Sequence, residues 1–222
     1  MAVRPSVIVF DVNETLSDMS PMGQRFADAG APAHLAKQWF ASLLRDGFAL
    51  STTGDSAGFA AVGAELLAPM LDAAGVAQPE EAARRLASSM ADLPLHADVV
   101  DGVRALRAAG YRLVTLTNGS AKVAEALFTA AGIREEFERL LSVEEAPAWK
   151  PHPGAYAHAA DACGASPDEL LLVAVHPWDI HGARRAGLHA AWVNRDGGTY
   201  PSYFAAPDLT VASVGELRGA LG

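Results

Sequence analysis

The sequence predicts an α/β protein, a parallel sheet flanked by helices, with an all-helical unit inserted after the first strand. Three observations predict it. A short unbroken apolar run, "SVIVF", stands near the start of the chain. Strand and helix patterns alternate singly from residue 98 onward. Between these two regions, residues 17 to 97 carry apolar residues at helical spacing with no convincing strand. Strands separated by single helices imply right-handed crossovers and a parallel sheet of about five or six strands.

Val7 to Phe10 reads as a strand buried on both faces, the habit of a parallel sheet. The run stops at Asp11, followed by the polar, turn-prone Asn13, Glu14 and Thr15. Asp11 then lies at the carboxyl end of a strand, where open α/β sheets bind ligands; a cap for the next turn is the plainer use of the same residue. The stretches "AHLAKQWFASLLRDGFAL", "SAGFAAVGAELLAPMLDAAG" and "PEEAARRLASSMADL" supply the helices of the insertion. Placed there, the insertion overhangs the strand ends and can serve as a lid. Next come helix "DVVDGVRALRAAG", closed by Gly110, strand "YRLVTL", helix "SAKVAEALFTAAG" and strand "RLLSV". Helix "HPGAYAHAADACG", strand "LLLVAV", a helix from about Pro177 to Ala186, strand "HAAWV", and "DLTV" leading to a last helix complete the chain. The domain reading is therefore residues 1–16 with 98–222 as the α/β core, and 17–97 as the helical cap.

Composition narrows the function. A chain of 222 residues, half of them hydrophobic, can bury a substantial core, and no stretch is apolar for long enough to span a bilayer. The first residues lack the basic-then-apolar order of a signal peptide, so a cytoplasmic protein is expected. The single cysteine, Cys163, cannot form an internal disulfide and reads as buried filler at a helix end. A net charge of −9 without a basic stripe argues against nucleic acid as a partner.

Four strand ends carry polar residues: Asp11 with Thr15, Thr117 with Asn118, Lys150, and His176 with Asp179. A parallel sheet brings all four to one edge. A carboxylate, a hydroxyl–amide pair, a lysine and a second carboxylate in one crevice point to an active site rather than to four independent turns. The backbone N–H groups after "TLTNGS" open a helix and make a ready site for a small anion.

The motifs "VFDVNETLSD", "TLTNGS", "WKPHPGAY" and "VHPWDIHGARRAGL" together resemble those of the haloacid dehalogenase (HAD) superfamily, and within it the L-2-haloacid dehalogenase type. The resemblance covers nearly the whole chain, cap included. It implies a Rossmann-like HAD core with Asp11 as nucleophile, Lys150 as its charge partner, and Asp179 as the acid that holds the lysine and helps position water. It further implies that Thr15, Thr117 and Asn118 hydrogen-bond the nucleophile or substrate, that Tyr156 and Trp178 line the pocket, and that the protein is a homodimer.

The chemistry agrees. An ionised carboxylate can attack a saturated carbon or a phosphorus, forming an ester or acyl phosphate that water later opens. Lys150 within a few Å would keep Asp11 ionised when water is excluded. Asn13 separates the branches: HAD phosphatases carry at this position an aspartate that protonates the leaving alcohol, and an amide cannot do so. The last motif, "AVHPWD", keeps Asp179 but lacks the earlier acid that helps bind Mg²⁺ in phosphatases. A metal-free site is expected, with weak Mg²⁺ binding at Asp11 and Asp179 as the alternative.

Two positions depart from the dehalogenase pattern. Phe40, after Trp39, stands where the resemblance calls for a halide-binding arginine, with Arg45 and Lys37 as the nearby substitutes. His176 stands where that family usually has an asparagine; a pocket role is expected from its place three residues before Asp179. The leading expectation is a hydrolase that displaces the α-substituent of a small 2-substituted carboxylate, a 2-haloacid above all, through an aspartyl ester. Asn13, Trp39, Phe40, Tyr156, His176 and Trp178 join the threonines and Asn118 as candidate substrate contacts. Opening of azetidine-2-carboxylate, a HAD phosphatase and a non-catalytic small-anion binding protein are the alternatives.

Overall fold

The computed structural model describes residues 5–222; residues 1–4, which the sequence reading gave to the α/β core, lie outside the described residues. Strand β1 (Val7–Phe10) is followed by helices α1 (Pro21–Asp28), α2 (Leu35–Thr53), α3 (Phe59–Ala73) and α4 (Pro79–Ser89). The chain continues through α5 (Val99–Ala108), β2 (Arg112–Thr117), α6 (Ala121–Ala130), β3 (Arg139–Ser142), α7 (Pro153–Cys163) and β4 (Leu170–Ala174). It ends with α8 (Pro177–Arg185), β5 (His189–Val193), β6 (Leu209–Val211) and α9 (Val214–Leu221).

All six strands form one parallel sheet in the order β3-β2-β1-β4-β5-β6. From β1 the chain works outward through β2 to β3, then returns to the other flank of β1 with β4. That reversal places a crevice at the carboxyl ends of β1 and β4, the position at which such sheets bind ligands. Phe10 pairs with Thr115 of β2 and Val173 of β4, and the Asp11 N–H donates to the Val173 carbonyl at 3.0 Å. Asp11 therefore leaves the sheet with its backbone still fixed.

Both faces of β1 are buried, which is why the run reads as continuously apolar. On one face Ile8, Phe10, Leu113, Leu171 and Val173 pack with Val103 and Leu106 of α5, Phe128 of α6 and Leu217 of α9. Phe128 stacks on Phe137 at 4.6 Å, and Phe137 meets the edge of Phe10 at 6.1 Å. Helix α8 packs against β4 and β5. Helix α7 ends at Gly164 in the left-handed conformation (φ 60°), a position that admits glycine without strain.

Two compact units emerge: one joins the segment ending at Ser17 to Leu95–Gly222, the other is Asp18–Pro94. Where the first unit's two segments meet, Ser17 makes an antiparallel bridge with Leu95, and the His96 N–H donates to the Leu16 carbonyl at 3.0 Å. The second unit contains α1 to α4 and buries Phe26, Trp39, Leu43, Leu67, Leu71 and Leu86. Helix α1 is an element the sequence periodicity did not announce; with eight residues and only Met22 and Phe26 buried, it gives too short a stripe.

Gly102 marks the tightest seam of the α/β unit. A Cβ there would stand 2.9 Å from the Val214 carbonyl carbon and 3.0 Å from the Gly215 nitrogen, backbone atoms that cannot rotate away. Gly102→Ala is expected to push α9 off α5 and destabilise the protein by about 1–3 kcal/mol, lowering Tm by several degrees. Thermal unfolding followed by circular dichroism measures this, and an unchanged Tm would refute the close seam.

Candidate active site

The strand ends bring Asp11, Lys150 and Asp179 together. Lys150 Nζ donates to Asp11 Oδ1 at 2.9 Å and to Asp179 Oδ2 at 2.6 Å, and the lysine and Asp179 side chains are 0% exposed. The lysine follows the loop after β3, and Asn118 at the end of β2 fixes its backbone. The Lys150 N–H donates to Asn118 Oδ1 at 2.9 Å, while Asn118 Nδ2 donates to the Lys150 carbonyl at 3.1 Å. Sequence reasoning gave Asn118 to the nucleophile or substrate; in the structure its side chain clamps the lysine.

Asp179 lies in the first turn of α8, where the helix N-terminus favours negative charge. Its second oxygen, Oδ1, accepts the Tyr156 hydroxyl at 2.7 Å. Tyr156 is itself locked in place, since a Cβ on Gly182 would collide with the phenolic oxygen and come within 2.7 Å of Pro151. Only a glycine on α8 leaves room for this tyrosine.

The other oxygen of Asp11, Oδ2, accepts the Thr15 hydroxyl at 2.7 Å, and Thr15 Oγ1 in turn accepts the Val175 N–H at 3.1 Å. Thr15 thus ties the turn after β1 to the end of β4. His176 Nδ1 also faces Asp11 Oδ2, at 3.3 Å, while its Nε2 lies 2.8 Å from Glu14 Oε2. The imidazole stacks on Trp178, with ring centroids 5.1 Å apart. Glu14 has φ 61°, the only positive φ of a non-glycine residue among the described residues.

Glu14 is the participant that sequence reasoning left as a turn residue. Its partner lies 162 positions away and comes beside it only because β4 pairs with β1. The one available signal was an acid and a histidine, each just beyond a strand end.

Electrostatics divide the two aspartates. Burial pushes the Asp11 carboxyl up, but the Lys150 charge, with His176 and the Thr15 hydroxyl, outweighs it and holds the group well below the usual carboxylate range. Burial also raises Asp179; Lys150 opposes this, the Asp11 charge adds to it, and the result lies above the usual value. Burial would discharge Lys150, yet the two carboxylates keep its proton more firmly held than in water. Burial likewise opposes the imidazolium of His176, but its hydrogen bonds to Asp11 and Glu14 prevail and lift it to about 9. Asp11 is an ionised, mostly dry carboxylate, and Asp179 the more basic of the pair.

The remaining candidates are distributed as follows. Thr117 is buried at the end of β2, and its Oγ1 accepts the Gly119 N–H at 2.9 Å. Asn13 is partly buried, with Nδ2 3.3 Å from the place a Cβ on Gly119 would take. The Lys150 ammonium lies 6.0 Å from the centre of the Trp178 ring. Trp39 and Phe40 belong to the helical unit: the Trp39 indole N–H donates to the Gly63 carbonyl at 2.8 Å, and Phe40 meets Phe59 edge-on at 6.3 Å. Arg45 pairs with Asp46 on a solvated face, its side chain 68% exposed, and Lys37 is exposed too.

The arrangement can deliver a carboxylate nucleophile to an electrophilic atom and hold a water against the resulting ester. The Lys150 ammonium lies between Asp11 and Asp179 and supplies a positive charge to both. Among the described residues no group of three or more His, Cys, Asp or Glu is arranged to hold a metal ion. No helix among them is long and apolar enough to cross a membrane.

Comparison with known proteins agrees with this chemistry. The family model for haloacid dehalogenase-like hydrolases matches residues 5–187. (S)-2-haloacid dehalogenase H-109 of Pseudomonas putida is 30% identical over 212 residues, 95% of either chain. Haloacetate dehalogenase H-2 of Moraxella sp. (strain B) is 39% identical over 132 residues, 60% of this chain and 59% of that protein's length. The structure of L-2-haloacid dehalogenase from Xanthobacter autotrophicus with chloropropionic acid covalently bound superposes with a TM-score of 0.85 at 25% identity, covering 96% of both chains.

The raised His176 pKa sets a pH window for stability. The unfolded histidine titrates near 6.5 and the folded one near 9. Its contribution is therefore fully present below pH 6.5 and is lost as pH rises through 9, on the order of 3 kcal/mol in all. Chemical denaturation at pH 6 and pH 9.5 should show a larger drop for the wild type than for His176→Asn. Equal drops would mean that the imidazolium is not held by Asp11 and Glu14.

Proposed function

Since the chain belongs to the haloacid dehalogenase-like hydrolase family and is thus a hydrolase, we propose that it displaces the α-halogen of a small 2-haloacid through an ester on Asp11. The observation that carries this reading is the state of Asp11, an ionised carboxylate in a nearly dry setting at the carboxyl end of β1. Water solvates a free carboxylate too well for it to attack a saturated carbon readily. Here fixed donors replace that solvation, and the attacking oxygen is already oriented.

In the first step a lone pair of Asp11 forms a bond to the α-carbon as the carbon–halogen bond breaks, with inversion. In the second, water adds to the Asp11 carbonyl carbon, Asp179 accepts its proton, and Lys150 carries the negative charge that develops on Oδ1. The product is the 2-hydroxy acid. Thr15, Tyr156 and Asn118 act as positioning residues for the three charged groups. The substrate carboxylate is assigned to Thr117 and the N–H groups that open α6, beside Trp178 and Asn13. Two relatives act on haloacids by name, and a third carries a covalently bound one.

The same reading makes the enzyme independent of metal, because the chain supplies its own cation between the two aspartates. We further propose a cytoplasmic homodimer acting on a small carboxylate; Cys163 is buried and unpaired. A phosphatase is disfavoured by Asn13, whose amide has no proton acidic enough to transfer to a leaving alcohol.

Isotope labelling, substitution and chelation test the reading. With (S)-2-chloropropionate in ¹⁸O water, a single turnover should leave the 2-hydroxy acid unlabelled and place the label in the peptide containing Asp11. Asp11→Asn should lower kcat at least about 10³-fold with folding intact. Label entering the product in that turnover would mean direct attack by water. EDTA should change activity less than about twofold, whereas Lys150→Ala should cost far more; strict Mg²⁺ dependence would return the phosphatase reading.

A further inference from the structure

The pair Glu14–His176 has no part in the mechanism above, yet it is built into the nucleophile. Its imidazole joins two carboxylates, with Nδ1 3.3 Å from Asp11 Oδ2 and Nε2 2.8 Å from Glu14 Oε2. The His176 side chain is 13% exposed and that of Glu14 39% exposed, so the pair leads from the nucleophile toward solvent. Glu14 is held by a left-handed backbone, a conformation that costs a non-glycine residue about 1 kcal/mol or more. Its carbonyl oxygen contacts His96 Nε2 at 3.0 Å.

Geometry decides which step the pair serves. In an in-line displacement the halide departs on the far side of the carbon from the attacking oxygen. A donor hydrogen-bonded to that oxygen is beside the new ester, not beside the halide. The two oxygens of Asp11 are also unequal. Oδ1 faces the buried ammonium at 2.9 Å, where negative charge is best stabilised; Oδ2 accepts the Thr15 hydroxyl at 2.7 Å and faces the imidazolium of His176 at 3.3 Å. Oδ1, held by the ammonium, is the oxygen suited to bear the charge of a tetrahedral intermediate, which assigns the attack to Oδ2.

On the proposed aspartyl-ester reading, we propose that His176 is the catalytic acid of the second step, protonating Oδ2 as it leaves, and that Glu14 is its positioning residue. Water adds to the Asp11 carbonyl carbon and gives one proton to Asp179. The carbon–Oδ2 bond then breaks, and its electron pair stays on Oδ2, which takes the Nδ1 proton and departs as the hydroxyl of the 2-hydroxy acid. Asp11 is left as a carboxylic acid containing the water oxygen. Its proton passes to the neutral imidazole, restoring the imidazolium and the carboxylate, and the proton on Asp179 goes to solvent. One water is consumed and one proton released. Asp11 and Glu14, both in contact with the imidazole, favour its charged form, and Lys150 and Asp179 lie behind Asp11.

The test is single-turnover kinetics with excess enzyme and (S)-2-chloropropionate, quenched in acid, following chloride release and the mass of the Asp11 peptide. His176→Asn should release chloride within about threefold of the wild-type rate, while hydrolysis of the ester slows at least about tenfold and the alkylated peptide accumulates. Glu14→Gln keeps the imidazole and should give the same pattern in weaker form, with kcat and KM falling together and kcat/KM little changed. It carries the test if His176→Asn does not fold. Slowed chloride release with no accumulated ester, in whichever variant folds, would place the pair in the first step and overturn the proposal. If no variant, nor the wild type, forms an Asp11 adduct and solvent label enters the product directly, the aspartyl-ester reading falls and this proposal with it.

Discussion

One ammonium group sets the terms for the rest of this molecule. Lys150 Nζ is wholly buried, and removing an ion from water costs several kcal/mol that only close partners can offset. Its partners arrive from distant parts of the chain: Asp11 after β1, Asp179 at the start of α8, and Asn118 on the lysine backbone. Loss of any one leaves a charge or a polar group stranded in a dry place. The order β2-β1-β4 is the arrangement that delivers all of them at once.

Two carboxylates sharing one cation do not share it equally. Asp11 also draws on Thr15 and His176, whereas Asp179 has the tyrosine hydroxyl and a deeper setting. The pair is pushed apart in acidity, one group kept as an anion and the other made a better proton acceptor. That separation lets two residues of the same type take different parts in one reaction. Neither part is written in the residue's identity; both come from what surrounds it.

This explains what could be read from the amino-acid sequence and what could not. The parallel sheet was legible because single helices separate short apolar runs, and Asp11, Lys150 and Asp179 were legible because each stands just beyond a strand end or a turn in a recognisable motif. Asn118 was legible as a polar residue of that edge but not as a clamp, since its partner is a backbone whose position depends on the path of another loop. Tyr156 was legible only through resemblance; its grip on Asp179 depends on a glycine one turn of helix away on α8. Arg45 and Lys37 illustrate the reverse difficulty, for a cation near the right place in sequence turned out to face water. Glu14 was hidden because its meaning resides in a pairing across the sheet.

The backbone of Glu14 has a consequence for how such a site drifts. Glycine would adopt φ 61° without strain, so a change from glutamate to glycine at this position would relax the turn but forfeit the carboxylate that helps hold the His176 imidazolium. The strain at this turn and the pairing across the sheet therefore act in opposite directions. A chain that lost His176 would lose the partner that rewards a glutamate in this conformation, and the backbone angle would then favour glycine.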